Sequence, residues 1–229
     1  MSFVLSVRDL AMHYGRRLVF SSVSFELRAG QSLGVIGANG AGKTSLLRSL
    51  VGCLRPTSGE IRINGLIPRD ALSRTPVAYF AGEATLPGFV RASAWGSLGT
   101  GDIVVHDRRP TRALSRGDRQ LLGLRTVLGR HPLGLVVLDE PWEALDSDAA
   151  RWLTTTLETK RDRGAAVVLS SHRLHDLAGL CDKYLFLTTH LATLLKAHEI
   201  VSVGPVTASV LTDVFEKLRS DPTSAHRLS

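Results

Sequence analysis

Apolar residues along this chain recur at two different spacings. Val23, Phe25 and Leu27 fall at every second position, the period of a strand with one buried face, and Phe3 to Val7 reads as a second strand of that kind. Tyr14-Gly15-Arg16-Arg17 between them has turn character, so an N-terminal antiparallel β layer is predicted. Pro56-Thr57-Ser58-Gly59 and Asn64-Gly65 are turn signals flanking a strand from Glu60 to Ile63, which extends the layer.

Gln31 to Ile36, Val77 to Phe80, Leu135 to Leu138 and Ala165 to Leu169 are short apolar runs without alternation, as in strands buried on both faces of a parallel sheet. Helical spacing separates them. Thr44 to Leu54 carries Leu46, Leu47, Leu50, Val51 and Leu54 on one face; a later segment carries Leu121, Leu122, Leu124 and Leu128; a third carries Ala149, Trp152, Leu153 and Leu157. Ser115 followed three residues on by Asp118 has the form of a capping box, while Asp146 and Ser147 can cap the third helix and Gly164 can close it. The alternation predicts an α/β fold. From Ala81 to Arg112 the pattern breaks, with weak helical periodicity around Phe89 to Leu98 that includes Trp95, so a small, partly helical insertion is expected. Beyond Leu187 the pattern fades through Thr188 to Ala197, and only a short helix around Val210, Leu211, Val214, Phe215 and Leu218 is legible.

Composition narrows the class. The chain has 229 residues, 44% of them apolar, length for one large domain or two small ones and enough to bury a sizeable core. The longest apolar stretch, Tyr184 to Leu195, is bounded by Lys183 and Lys196 and interrupted by threonines and a histidine, so no membrane span is expected. Met-Ser-Phe-Val-Leu at the start lacks the features of a secretory signal, and Cys53 and Cys181 have no ligand or disulfide spacing. A cytoplasmic protein with reduced thiols is expected. Net charge is +7. The basic residues are dispersed, and the densest group, Arg108, Arg109 and Arg112, holds no aromatic to stack a base, so no specific nucleic acid is expected. Proximity to acidic lipid headgroups is the better use of the charge.

The candidate chemistry begins at Gly37-Ala38-Asn39-Gly40-Ala41-Gly42-Lys43-Thr44. Strand, glycine loop and helix stand in the order of a phosphate-binding loop, whose bare amides turn inward around phosphate oxygens at a helix N-terminus. Ser45 follows directly. Lys43 is placed to reach β- and γ-phosphates, and the Thr44 hydroxyl to take a position on Mg²⁺. Asp139 and Glu140 end the buried Leu135 to Leu138 run, at the edge where parallel sheets bind ligands. There Asp139 can hold the metal, and Glu140 can orient or deprotonate a water. His172 emerges from the same edge and can donate to a phosphate oxygen. It is also spaced with His175 for a helical metal pair, though no third ligand is in view. Tyr14 is either a base-stacking ring or a core aromatic at a strand end.

These pieces, in this order from about Phe3 to Leu187, resemble the nucleotide-binding subunit of an ATP-binding cassette (ABC) transporter. Gly37 to Thr44 resembles Walker A, and Leu135 to Glu140 resembles Walker B with its catalytic glutamate. Leu114 to Asp118 stands where the family has Leu-Ser-Gly-Gly-Gln, Ala144-Leu145-Asp146 resembles the dimer-contact loop, His172 the switch histidine and Tyr14 the adenine-stacking aromatic. The resemblance implies a P-loop NTPase core, an N-terminal antiparallel β subdomain and a reduced helical subdomain. Residues 1–229 would form one ATP-binding domain, with 84–125 as the helical and signature part and 188–229 divergent. It implies ATP and Mg²⁺, and a head-to-tail pairing with a second ATP-binding subunit in which Ser115 and Gly117 meet the γ-phosphate across the interface. It also implies an integral membrane permease as partner, and a peripheral place on the cytoplasmic face of the cell membrane. The compact cassette leans towards an exporter. Three departures stand out: Gly82, with Glu83 next, where the family has a glutamine; Arg116 and Asp118 within the signature; and a short segment between cradle and signature. Two alternatives remain open: a soluble cassette ATPase acting on ribosomes or DNA, and a degenerate cassette that uses ATP as a regulatory clamp.

Overall fold

The computed structural model describes residues 4–82, 86–96, 108–129, 132–188, 191–201 and 204–220. Phe3, Glu83, Leu98 and residues 221–229 lie outside these ranges. The alternating N-terminal pattern becomes a hairpin of β1 (Leu5–Tyr14) and β2 (Arg17–Leu27), with Tyr14 opposite Arg17. β1 runs well past the expected Val7, because register shifts between Val7 and Leu10 and again around Met12 break the period of two while Leu10 and Met12 stay buried.

β3 (Ser32–Gly37) leads into α1 (Lys43–Leu50). The helix stops short of Leu54. Gly52, at φ +72, donates to the Ser49 carbonyl at 3.0 Å and Cys53 donates to the Arg48 carbonyl at 2.9 Å, the paired closure that terminates a helix at a left-handed glycine. β4 (Ser58–Ile63) pairs antiparallel with β1, giving a first sheet of order β2-β1-β4. Next come α2 (Pro68–Ala71) and β5 (Val77–Phe80), and then, among the described residues of the expected insertion, α3 (Ala92–Gly96) and a 3₁₀ turn at Thr111–Ala113. α4 (Arg116–Leu128), β6 (Leu135–Leu138), α5 (Ser147–Asp162) and β7 (Ala166–Ser171) follow the expected alternation, and α6 (Leu174–Leu177) and β8 (Lys183–Leu187) complete it.

The stretch that fades in the sequence after Leu187 holds β9 (Ala192–Lys196) and α7 (Ala197–Ile200), ahead of α8 (Ala208–Ser220). β9 is antiparallel to β8, with Tyr184 opposite Leu195, so the longest apolar stretch folds back as a hairpin. Among the described residues no helix is long and apolar enough to cross a membrane.

The second sheet has the order β5-β6-β7-β3-β8-β9, and every pairing except β8 with β9 is parallel. Leu135 and Val137 of β6 face one core layer, shared with Leu46, Leu47 and Leu50 of α1 and with Leu5, Leu10 and Phe20 of the first sheet. Val136 and Leu138 face the other, shared with Leu124 and Leu128 of α4, Leu153 and Leu157 of α5 and Leu211 and Leu218 of α8. Each fully buried leucine or valine contributes about 1.5–3 kcal/mol. The two layers fix the sheet from both sides and bring the carboxyl ends of β3, β6 and β7 to one edge.

Candidate nucleotide site

The cradle forms where β3 turns into α1. Gly42 caps the helix at φ +99, and a Cβ there would lie 2.5 Å from Val19 Cγ1, so only glycine lets β2 pack directly on the loop. No side chain caps α1, which leaves its first amides open towards an anion. Ala41 closes the turn from behind through its N–H to the Ala38 carbonyl at 3.1 Å. Ala38, Asn39, Gly40, Gly42, Lys43, Thr44 and Ser45 line a cleft of ≈ 340 Å³ together with Tyr14, Arg17, Val19 and Glu140. Lys43 is buried, and its Nζ donates to the Gly37 carbonyl at 2.7 Å while lying 3.2 Å from Glu140 Oε1.

Asp139 and Glu140 leave β6 beside this lysine. Thr44 Oγ1 donates to Asp139 Oδ2 at 2.6 Å, across 95 positions of sequence. Ser170 Oγ donates to Asp139 Oδ1 and accepts the Glu140 N–H at 2.9 Å, so one hydroxyl joins the two acids. Glu140 sits at φ +45, a left-handed backbone that costs a residue with a side chain about 1–3 kcal/mol. Its Oε2 accepts from the His172 amide at 3.1 Å and lies 2.8 Å from His172 Nδ1. Partial burial pushes the Glu140 carboxyl up, but Lys43 and the hydrogen bonds from His172 outweigh it and hold the group below its ordinary value. The carboxylate is charged and held on two sides.

Tyr14 is 54% exposed at the hairpin end, with its hydroxyl 3.0 Å from Ser45 Oγ. The core alternative fails for it, and its ring borders the cleft. Ser115 and Gly117 stand apart, at the start of α4, and neither lines the cleft. A Cβ on Gly117 would lie 2.6 Å from the Ala144 carbonyl, so the signature turn packs on the loop before α5. His175 lies in α6 and His172 precedes it, so the helical histidine pair does not form, and no cluster of three metal-ligating side chains exists among the described residues. Gly82 follows β5 and brings no side chain to the edge.

Two further residues hold the site. Ser170 is one; Gln120 is the other. Buried in α4, Gln120 donates through Nε2 to the carbonyls of Glu140 at 3.2 Å and Pro141 at 3.0 Å. Its signal was a lone amide set four residues before Leu124 on an apolar helical face. The donor set fits a magnesium nucleotide: hard oxygens from Thr44 and Asp139 side by side, a buried lysine, and uncapped amides behind a glycine that a Cβ would block.

A glycine loop opening a helix, with acids at the end of the strand next but one, defines an α/β protein of the P-loop class. Residues 20–143 match the ABC transporter family model, and the chain belongs to that family. It is 32% identical over 90% of its length to the zinc import ATP-binding protein ZnuC of Yersinia enterocolitica, of which it covers 84%. To the cytochrome c biogenesis ATP-binding export protein CcmA of Aromatoleum aromaticum it is 34% identical, over 74% of this chain and 89% of that one. The solved structure of an ATP-binding subunit of an ABC transporter superposes with a TM-score of 0.79 over 92% of this chain and 99% of that one, at 22% identity, which establishes the shared fold. As a family member the chain is an ATP-binding subunit and an ATPase, using ATP with Mg²⁺.

Proposed function

We propose that this chain hydrolyses ATP to drive a separately encoded integral membrane permease, bound on the cytoplasmic face of the cell membrane and paired with a second ATP-binding subunit, with export as the direction. The observation that carries the reading is Lys43 lying between the Gly37 carbonyl and Glu140 while Thr44 meets Asp139 beside it. The 34% identity to cytochrome c biogenesis export proteins from two organisms supports export; the 32% match to a zinc import protein supports import as the rival. Residues 1–229 form one domain in this reading, with 84–125 as its reduced helical part.

In the mechanism, the amides of Gly40 and of Gly42 to Ser45 take phosphate oxygens and Lys43 leaves Glu140 for the β- and γ-phosphates. Thr44 and Asp139 would hold Mg²⁺, which would offset phosphate charge. Freed of Lys43, Glu140 regains proton affinity. It takes a proton from the water whose oxygen bonds to the γ-phosphorus, as the bond to the bridging oxygen breaks and ADP departs with that oxygen. His172 keeps the carboxylate aimed, and Tyr14 offers its face to adenine. Across the pairing, Ser115 and Gly117 of this chain approach the γ-phosphate that the second subunit holds.

Calorimetry and steady-state turnover test this together. Glu140→Gln is expected to bind magnesium ATP as wild type does and to lose turnover by about 10²–10⁴-fold. Normal turnover in that variant removes the assigned base, and no nucleotide uptake by either protein removes the whole reading. Unchanged cell zinc content on deletion of the chain is expected; a fall in zinc decides for import.

A further inference from the structure

The C-terminal helix α8 ends beside the phosphate loop. Leu211, Val214 and Leu218 bury one face of it in the core layer that holds Phe186. Phe215, half-buried, stacks on Phe186 with ring centroids 6.4 Å apart, and the guanidinium carbon of Arg219 lies 5.7 Å from the centre of the Phe215 ring. The ring attracts the cation through its face and takes none of its five N–H donors. These two side chains and Arg17 line a cavity of ≈ 220 Å³. It shares Arg17, Val19, Ala38, Asn39 and Gly40 with the nucleotide cleft, so the two spaces adjoin across the turn of the loop. No carboxylate lines the smaller cavity, and among the described residues neither guanidinium forms an ion pair. Glu216, one turn back on α8, is not paired with Arg219, and the cleft's own Glu140 is held by Lys43 and His172. Two unpaired like charges lining one cavity favour an anion between them.

We propose that Arg219 is a nucleotide-binding residue: with Arg17, α8 supplies a second cationic wall that takes an anionic oxygen of the ATP bound in the cleft. The inference rests on the roles given above to Tyr14 and the phosphate loop. A nucleotide with its base against Tyr14 and its phosphates on the amides of Gly42 to Ser45 passes Arg17, which stands opposite Tyr14 in the hairpin and lines both spaces. A guanidinium fork matches phosphate oxygens in shape and charge. The last turn of α8 is then ordered by the nucleotide, which ties the divergent C-terminal helix to the occupancy of the site.

The test is calorimetry of the full-length chain with magnesium ATP, on wild type, Arg219→Ala and Arg219→Lys. Alanine is expected to weaken binding about tenfold and lysine, which keeps the charge, about threefold or less, with the gap narrowing as salt is added. In turnover, Arg219→Ala is expected to raise KM while kcat stays within about twofold, as for a contact made equally in the ground and transition states. Magnesium ATP is expected to slow hydrogen exchange in the last turn of α8 in wild type and not in Arg219→Ala. Equal affinity in wild type and Arg219→Ala overturns the proposal. So does an equal, salt-independent loss in both variants, which marks a packing effect of α8. Those results leave the cleft itself in place, whereas failure of wild type to take up nucleotide overturns both readings. Arg219 is exposed near the helix end, and urea midpoints check that both variants fold.

Discussion

The carboxylate of Glu140 lies between a cation and a histidine, and its proton affinity is set by that geometry. Because its folded value is depressed, the stability it contributes is present above the ordinary value of 4.5 and is lost as pH falls through the lower folded value. The urea midpoints of wild type and Glu140→Gln are therefore expected to differ at neutral pH and to converge in acid once pH lies below the lowered folded value. At this scale the charged and hydroxylic members, Lys43, Thr44, Asp139 and Glu140, were legible from spacing, because their chemistry belongs to their own strand ends and loop. Ser170 and Gln120 were not. Their importance comes from partners 30 and 20 positions away, which only the folded sheet brings near.

Among the elements, the four parallel strands β3, β5, β6 and β7 fall close to their expected positions, since unbroken apolar runs admit few other readings. Boundaries failed where a local device overrode the pattern: the bulges in β1, the glycine closure of α1, and the half-exposed edge strand β9, whose residues 192–194 lie on no consistently buried face. The contact between α4 and β5 gives an element-scale prediction. A Cβ on Gly123 would lie 2.3 Å from Phe80 Cε2, so Gly123→Ala is expected to push α4 off the sheet edge. The expected loss is about 1–3 kcal/mol of stability by urea unfolding. Because Gln120 rides on that helix, turnover should fall further than the lost stability explains.

At the scale of the molecule, one sheet carries both main core layers, so loss of either exposes the other. Unfolding is expected to be a single transition, seen as coincident far-UV dichroism and tryptophan fluorescence curves; Trp142 and Trp152 both pack in the layer under α4 and α5. The small separate cluster of Ala92, Leu114, Leu122 and Trp95 shares neither layer, so amides of α3 are expected to exchange hydrogen well before those of β3 and β6. Resolved, well-separated transitions for the two sheet faces would contradict this. The overall class was legible because alternation of strand and helix is a long-range pattern that local irregularities do not erase.

Ser170 touches both acids through a single oxygen, and that economy has a consequence for how the protein can vary. Losing that oxygen disturbs the metal-side carboxylate and the water-side backbone at the same stroke, so neither function can drift independently of the other. Any lineage that retires the base while keeping the nucleotide grip must change Glu140 itself and leave the pin through Asp139 in place.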